Sequence, residues 1–162
     1  EQHLSVVLQK SLEFDGHNIE IINGSVSGST SAGGLNIAEW TLSENNIDLM
    51  ILCLGANDML RGINPKETKN NLEEIIKIAK NKKIKVIIAG MIAPTSYGFS
   101  YKKSFDKIFS DLSKKYKLQL IPFLLEGVAQ KPEFNLSDGM HPNDQGTIII
   151  GNTLKKAILK NL

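Results

Sequence analysis

The feature that most narrows the fold is a repeated switch of hydrophobic period, in which a short apolar run, a polar loop and a helical stripe follow one another several times. Leu4, Val7, Leu8 and Leu12 recur at helical spacing, and Asp15-Gly16 closes that first helix as a turn. Residues 19–22 are a short β-branched run, followed by a glycine and serine stretch at 23–34 and a helix carrying Leu35, Ala38 and Leu42. The unit returns as the run 49–54, a polar loop through Pro65, and a helix with Leu72, Ile75, Ile76 and Ala79 on one face. It returns again as 84–89, a loop through Ser100, and a helix with Tyr101, Phe105, Ile108, Phe109 and Leu112. A last strand at 118–123 leads through a long loop into a helix with Ile150, Leu154, Ala157 and Ile158 inward. Runs that are almost wholly apolar suit parallel strands buried on both faces by crossover helices. The expected class is α/β, doubly wound, in one domain over residues 1–162. No composition shift marks a linker, and Lys80, Lys82, Lys83 and Lys85 read as a solvated helix end and strand entry.

Composition removes several function classes. With 41% hydrophobic and 22% charged residues, the chain is neither disordered, collagen-like nor a coiled coil. Nineteen basic against seventeen acidic residues leave +2, too small an excess to mark a nucleic-acid binder. No apolar run is long enough to cross a bilayer, so no stable membrane insertion is expected. Cys53, the single cysteine, cannot form an internal disulfide and reads as a small buried thiol. His3 and His17 lie in the first helix and its following turn, so with Cys53 they make no zinc-ligand spacing, and no metal is expected. Trp40 reads as helix packing.

Open parallel sheets bind ligands beyond the carboxyl ends of their strands, where loops and helix N-termini converge. Three loops there carry unusual residues. In Gly24-Ser25-Val26-Ser27-Gly28-Ser29-Thr30, glycine and serine make a tight turn and a helix cap. No Lys-Ser or Lys-Thr follows as a P-loop needs, the dinucleotide spacing is absent, and Val26 stands where a nucleophile elbow needs serine. Gly55-Ala56-Asn57-Asp58 reads either as a capped turn or as an asparagine amide offered to a developing oxyanion. In Asp138-Gly139-Met140-His141-Pro142, glycine permits a turn and proline suits a helix start. A carboxylate so placed can accept from the imidazole Nδ1–H and leave Nε2 as a base; the plain alternative is an Asp-Gly turn beside a surface histidine. The loop 91–100 carries Pro94, Tyr97 and Gly98 but no acid–base set.

In order and spacing, Ser27-Gly28-Ser29-Thr30, Gly55-Ala56-Asn57-Asp58, Leu60-Arg61-Gly62, Tyr97-Gly98, Pro122-Phe123 and Asp138-Gly139-Met140-His141-Pro142-Asn143 resemble the SGNH hydrolases, also called GDSL esterases. Within them the likeness is to the bacterial acyl-CoA thioesterase I, lysophospholipase and arylesterase group. The resemblance implies a flavodoxin-like three-layer α/β/α sandwich with a parallel sheet. It implies that Gly28 lends its backbone N–H and Asn57 its side-chain amide to an oxyanion hole, that His141 is the general base, and that Asp138 orients it. No cofactor is implied. The substrates implied are small acyl or aryl esters, acyl thioesters or lysophospholipids, and the location implied is the periplasm or outside the cell. Met59, Leu60, Ile63 and Ile92 are placed to border an acyl groove, or equally to be ordinary loop anchors. Ser29 and Ala56 depart from the aspartate and glycine common at those places.

The family's Gly-Asp-Ser block, which carries the nucleophile, has no counterpart here, since every serine lies outside such a motif. The expectation is an N-terminal truncation that begins on the order of ten residues past the nucleophile and is inert toward esters alone. In the flavodoxin-like order 2-1-3-4-5 the absent strand is central, so its loss takes a ladder from each neighbour. The alternative from another class is a noncatalytic flavodoxin-like module binding a small molecule or anion through the serine and glycine loop.

Overall fold

The computed structural model describes residues 3–43 and 46–162; Gln2, at the expected start of the first helix, lies outside them. Among the described residues the elements run α1 (Leu4–Phe14), α2 (Ser31–Thr41), β1 (Leu49–Leu52), α3 (Ala56–Leu60), α4 (Pro65–Asn81), β2 (Lys85–Ala89), α5 (Phe99–Tyr116), β3 (Gln119–Ile121) and α6 (Asp144–Leu159). Short 3₁₀ turns stand at Thr95–Tyr97 and Pro132–Phe134. The chain forms two compact units, Gly24–Phe123 and Glu1–Asn23 with Leu124–Leu162.

The unit Gly24–Phe123 is built on a parallel sheet in the order β1-β2-β3. Ile51 stands opposite Ile87, and Ile88 opposite Leu120. Asn64 caps α4 by accepting from the Lys66 N–H at 2.9 Å, and Pro65 takes the first helical position, where its missing donor costs nothing. Leu72, Ile75, Ile76 and Ala79 then recur at i, i+3, i+4 and i+7 and bury against the sheet with Phe105, Ile108, Phe109 and Leu112 of α5. Full burial of each large aliphatic side chain contributes roughly 1.5–3 kcal/mol, so each member of this stripe adds materially to the unit's stability. At the end of β2 the Gly90 N–H donates to the Ile121 carbonyl at 2.7 Å. A Cβ there would stand 2.3 Å from the Pro122 carbonyl oxygen, which excludes every other residue.

In the second unit α1 packs on α6 through Leu8 and Leu12 on one side and Ile150, Leu154, Ala157 and Ile158 on the other. Lys155 ties the pair by an ion pair to Asp15 at 2.6 Å and a hydrogen bond to Ser11 Oγ at 2.9 Å.

Several expectations change. The run 19–22 is not a strand: it joins no ladder, and the Gln9 amide holds it instead, accepting from the Ile21 N–H at 2.7 Å and donating to the Ile19 carbonyl at 2.8 Å. A β-branched run becomes a strand only when a neighbour supplies the ladder, and among the described residues none pairs with it. The residues of β1 are half-buried apart from Leu52. Cys53 is exposed, because Leu52 and Leu54 take the alternate positions that face the core. Trp40 is 78% exposed, since the buried positions of α2 are Ser31 and Ala38, one helical face away. Pro142 does not start α6: it forms an isolated bridge with Asn135, and Asn143 is the cap.

Candidate functional site

The loop before α2 makes a turn closed by the Ser29 N–H on the Val26 carbonyl at 3.1 Å, with Gly28 at φ +72° in its third position. Positive φ at that position is the type II signature that favours glycine. Among the described residues the Gly28 N–H has no acceptor, and the residue is exposed. Thr30 then caps α2 by accepting from the Gly33 N–H.

The single-turn helix α3, which the periodicity did not predict, begins at Gly55 with φ +116°. A Cβ there would meet the Phe109 ring at 3.2 Å. Asn57 is half-buried and turns its amide onto the preceding loop, Nδ2 donating to the Ser29 carbonyl at 3.1 Å. Arg61, just past α3, donates to the Gly28 carbonyl at 3.1 Å. The two sequence-predicted oxyanion donors are thus brought together within one unit. One N–H of the Asn57 amide is committed to Ser29, which orients the other.

Asp138 and His141 sit on a strap in the other unit. Its two arms are paired by the Leu136 N–H on the His141 carbonyl at 2.8 Å and the Asn143 N–H on the Phe134 carbonyl at 2.9 Å. The tip turns through Gly139 at φ +69°, the left-handed residue that follows a type I turn in short hairpins. Buried Asn135 anchors the base, donating to the carbonyls of Val128 and Lys131 at 2.7 and 2.8 Å. At the tip His141 Nδ1 meets Asp138 Oδ2 at 2.6 Å, while Oδ1 accepts from the backbone N–H groups of Met140 and His141 at 2.9 and 3.0 Å. The bond from the His141 ring, followed by those two backbone donors, pulls the Asp138 carboxyl down to about 2. It is therefore an acceptor at neutral pH, so the imidazole carries its hydrogen on Nδ1. Nε2 has no partner among the described residues and faces outward on an exposed side chain.

The four residues expected along an acyl groove differ in placement. Leu60 and Ile92 are exposed, Ile63 is half-buried, and Met59 packs against the core cluster. The Tyr97 hydroxyl donates to the Leu60 carbonyl at 3.3 Å and that of Tyr101 to the Ile63 carbonyl at 2.9 Å, so the loop 91–100 and the start of α5 hold the 59–64 loop. Sequence reasoning missed this tie, and it missed the buried partners of Asp58, which stands beside Asn57 in the quoted motif.

The sequence profile of the GDSL-like Lipase/Acylhydrolase family matches residues 2–147. An arylesterase of Vibrio mimicus is 35% identical over 156 residues, covering 96% of this chain and 78% of that protein. The crystal structure of TesA superposes with a TM-score of 0.92 at 31% identity, covering 98% of this chain and 88% of the other. That of AlinE4, an SGNH-hydrolase family esterase, gives 0.79 at 37% identity, covering 98% and 85%.

Proposed function

Because the chain belongs to the GDSL-like lipase/acylhydrolase family, a family of ester hydrolases, we propose that the complete protein is a serine esterase or thioesterase working through an acyl-enzyme. The observation that carries this is the 2.6 Å bond between His141 Nδ1 and Asp138, which leaves Nε2, without a partner among the described residues, as the ring's proton acceptor. A serine that the 162 residues do not supply gives its proton to His141 Nε2 as Oγ bonds to the substrate carbonyl carbon. The carbonyl π pair moves to oxygen, and the oxyanion is met by the Gly28 N–H and the free N–H of Asn57. Collapse breaks the bond to the alcohol or thiol, which leaves with the proton from His141. Water then repeats the sequence on the acyl-enzyme and releases the acid. Small acyl or aryl esters and thioesters are the substrates, with Met59, Leu60, Ile63 and Ile92 bordering the acyl chain. The 162 residues alone turn over no ester.

The test is an aryl ester assay on the full-length protein, which should give a serine-dependent burst. Asn57→Ala there lowers kcat by about 100- to 1000-fold with KM little moved. A full-length Asn57→Ala variant that turns over at the wild-type rate overturns the role of Asn57.

A further inference from the structure

We infer that Asp58 is a positioning residue that locks the Asn57 oxyanion donor in place through Ser31, an inference that rests on the proposed role of Asn57. Asp58 has 0% of its surface exposed, and no cation pairs with it among the described residues. A carboxylate in that position must be compensated by hydrogen bonds. Its Oδ2 accepts from the Ser31 backbone N–H at 2.7 Å, at the N-terminal end of α2. Its Oδ1 accepts from the hydroxyl of Ser31, and from that of Thr68 at 3.1 Å. Ser31 is itself fully buried, and its Oγ accepts from the Asn71 amide at 3.0 Å.

This network lies where the chain has least rigidity of its own. A five-residue helix makes a single turn and cannot fix its own direction, and α3 is such a helix. Asn57 and Asp58 are neighbours on it, and with Arg61 they grip three residues of the stretch 28–31: Arg61 the carbonyl of Gly28, Asn57 the carbonyl of Ser29, Asp58 the N–H and hydroxyl of Ser31. Of these holds only that of Asp58 is buried, those of Asn57 and Arg61 being partly buried and exposed. Asp58 therefore sets where α3 stands relative to the turn at Gly28, and so where the Asn57 amide points. Asp58 touches no substrate and acts through Asn57.

The experiment is a double-mutant cycle in the full-length enzyme, reading kcat and KM with an aryl ester. Asp58→Asn keeps the shape but replaces one acceptor oxygen by a donor, and it lowers kcat by about 10- to 100-fold with KM little changed, as a misaimed donor does. In the Asn57→Ala background the same change costs less than about 2-fold, because the group it aims is gone. Ser31→Ala, which removes a single hydroxyl, shows the same coupling at about 3- to 10-fold and carries the decision if Asp58→Asn does not fold. Losses that multiply in full across the cycle overturn the inference and give Asp58 a purely structural role, as does an unchanged kcat in both variants. A wild-type kcat in Asn57→Ala alone instead overturns the oxyanion reading, and the lock falls with it.

Discussion

The strap at 134–143 and the clamp around α3 hold their key carboxylates in opposite ways. Asp138 is exposed and meets only residues two and three positions on, so the bond to His141 and both backbone bonds come from one turn of chain. Asp58 is buried and held by residues 27 and 10 positions away, on α2 and α4. The difference separates the proposed proton-handling pair, which is assembled locally, from the proposed donor pair, whose geometry exists only when the unit around it has folded. On that contrast, removing the Asp138–His141 pair is expected to leave the fold intact, whereas at the clamp a substitution reaches both fold and donor.

Four measurements sharpen or break that contrast. The largest effect falls on turnover: His141→Ala in the full-length enzyme lowers kcat by about 10⁴-fold, the upper range for a general base, with an unchanged unfolding midpoint. A lowered midpoint would make the strap part of the folding unit. Next comes Asp58→Ala, which strands the Ser31 N–H and the Thr68 hydroxyl and costs about 1–3 kcal/mol for each group left unsatisfied, read by denaturant unfolding. Unfolding at the wild-type denaturant concentration would remove the distinction between the regions.

Third is the acid response of the strap. Asp138 is lowered from 3.8 to about 2 in the folded state, chiefly by the His141 ring. What the pair contributes is therefore full above about 4 and lost as pH falls through about 2. Carboxyl NMR of the 162-residue chain should place the Asp138 midpoint near 2, and His141→Ala should raise it toward the ordinary range. A midpoint near 4 in the unsubstituted chain would mean that the 2.6 Å bond does not hold in solution. Smallest is Arg61→Ala, which loses one exposed hydrogen bond to Gly28 and lowers kcat about 5-fold, the equivalent of roughly 1 kcal/mol.

What was legible in the sequence follows the same division between local and distant. The helices with buried stripes, α1, α4, α5 and α6, were readable because 3.6-residue periodicity is written in their own residues. So were the Asp138–His141 contact and the capped turn at Gly28. The run 19–22 was misread because strand status belongs to the neighbour as much as to the run. The short helix α3 escaped because five residues carry less than two turns of periodicity. Asp58 was quoted in its motif without a role, since nothing near it in sequence announces Ser31 or Thr68 as partners. Cys53 and Trp40 were both read as buried from their apolar surroundings, while the faces they occupy point outward.

The 2.3 Å gap opposite Gly90 has a consequence for how such a protein can change its preferences. Any side chain there would push apart the exits of two neighbouring strands, so sequence drift or a designed library must begin one residue later, at Met91. From there variation is confined to exposed positions such as Ile92, since Ala93 is buried and Tyr97 ties the loop to the Leu60 carbonyl.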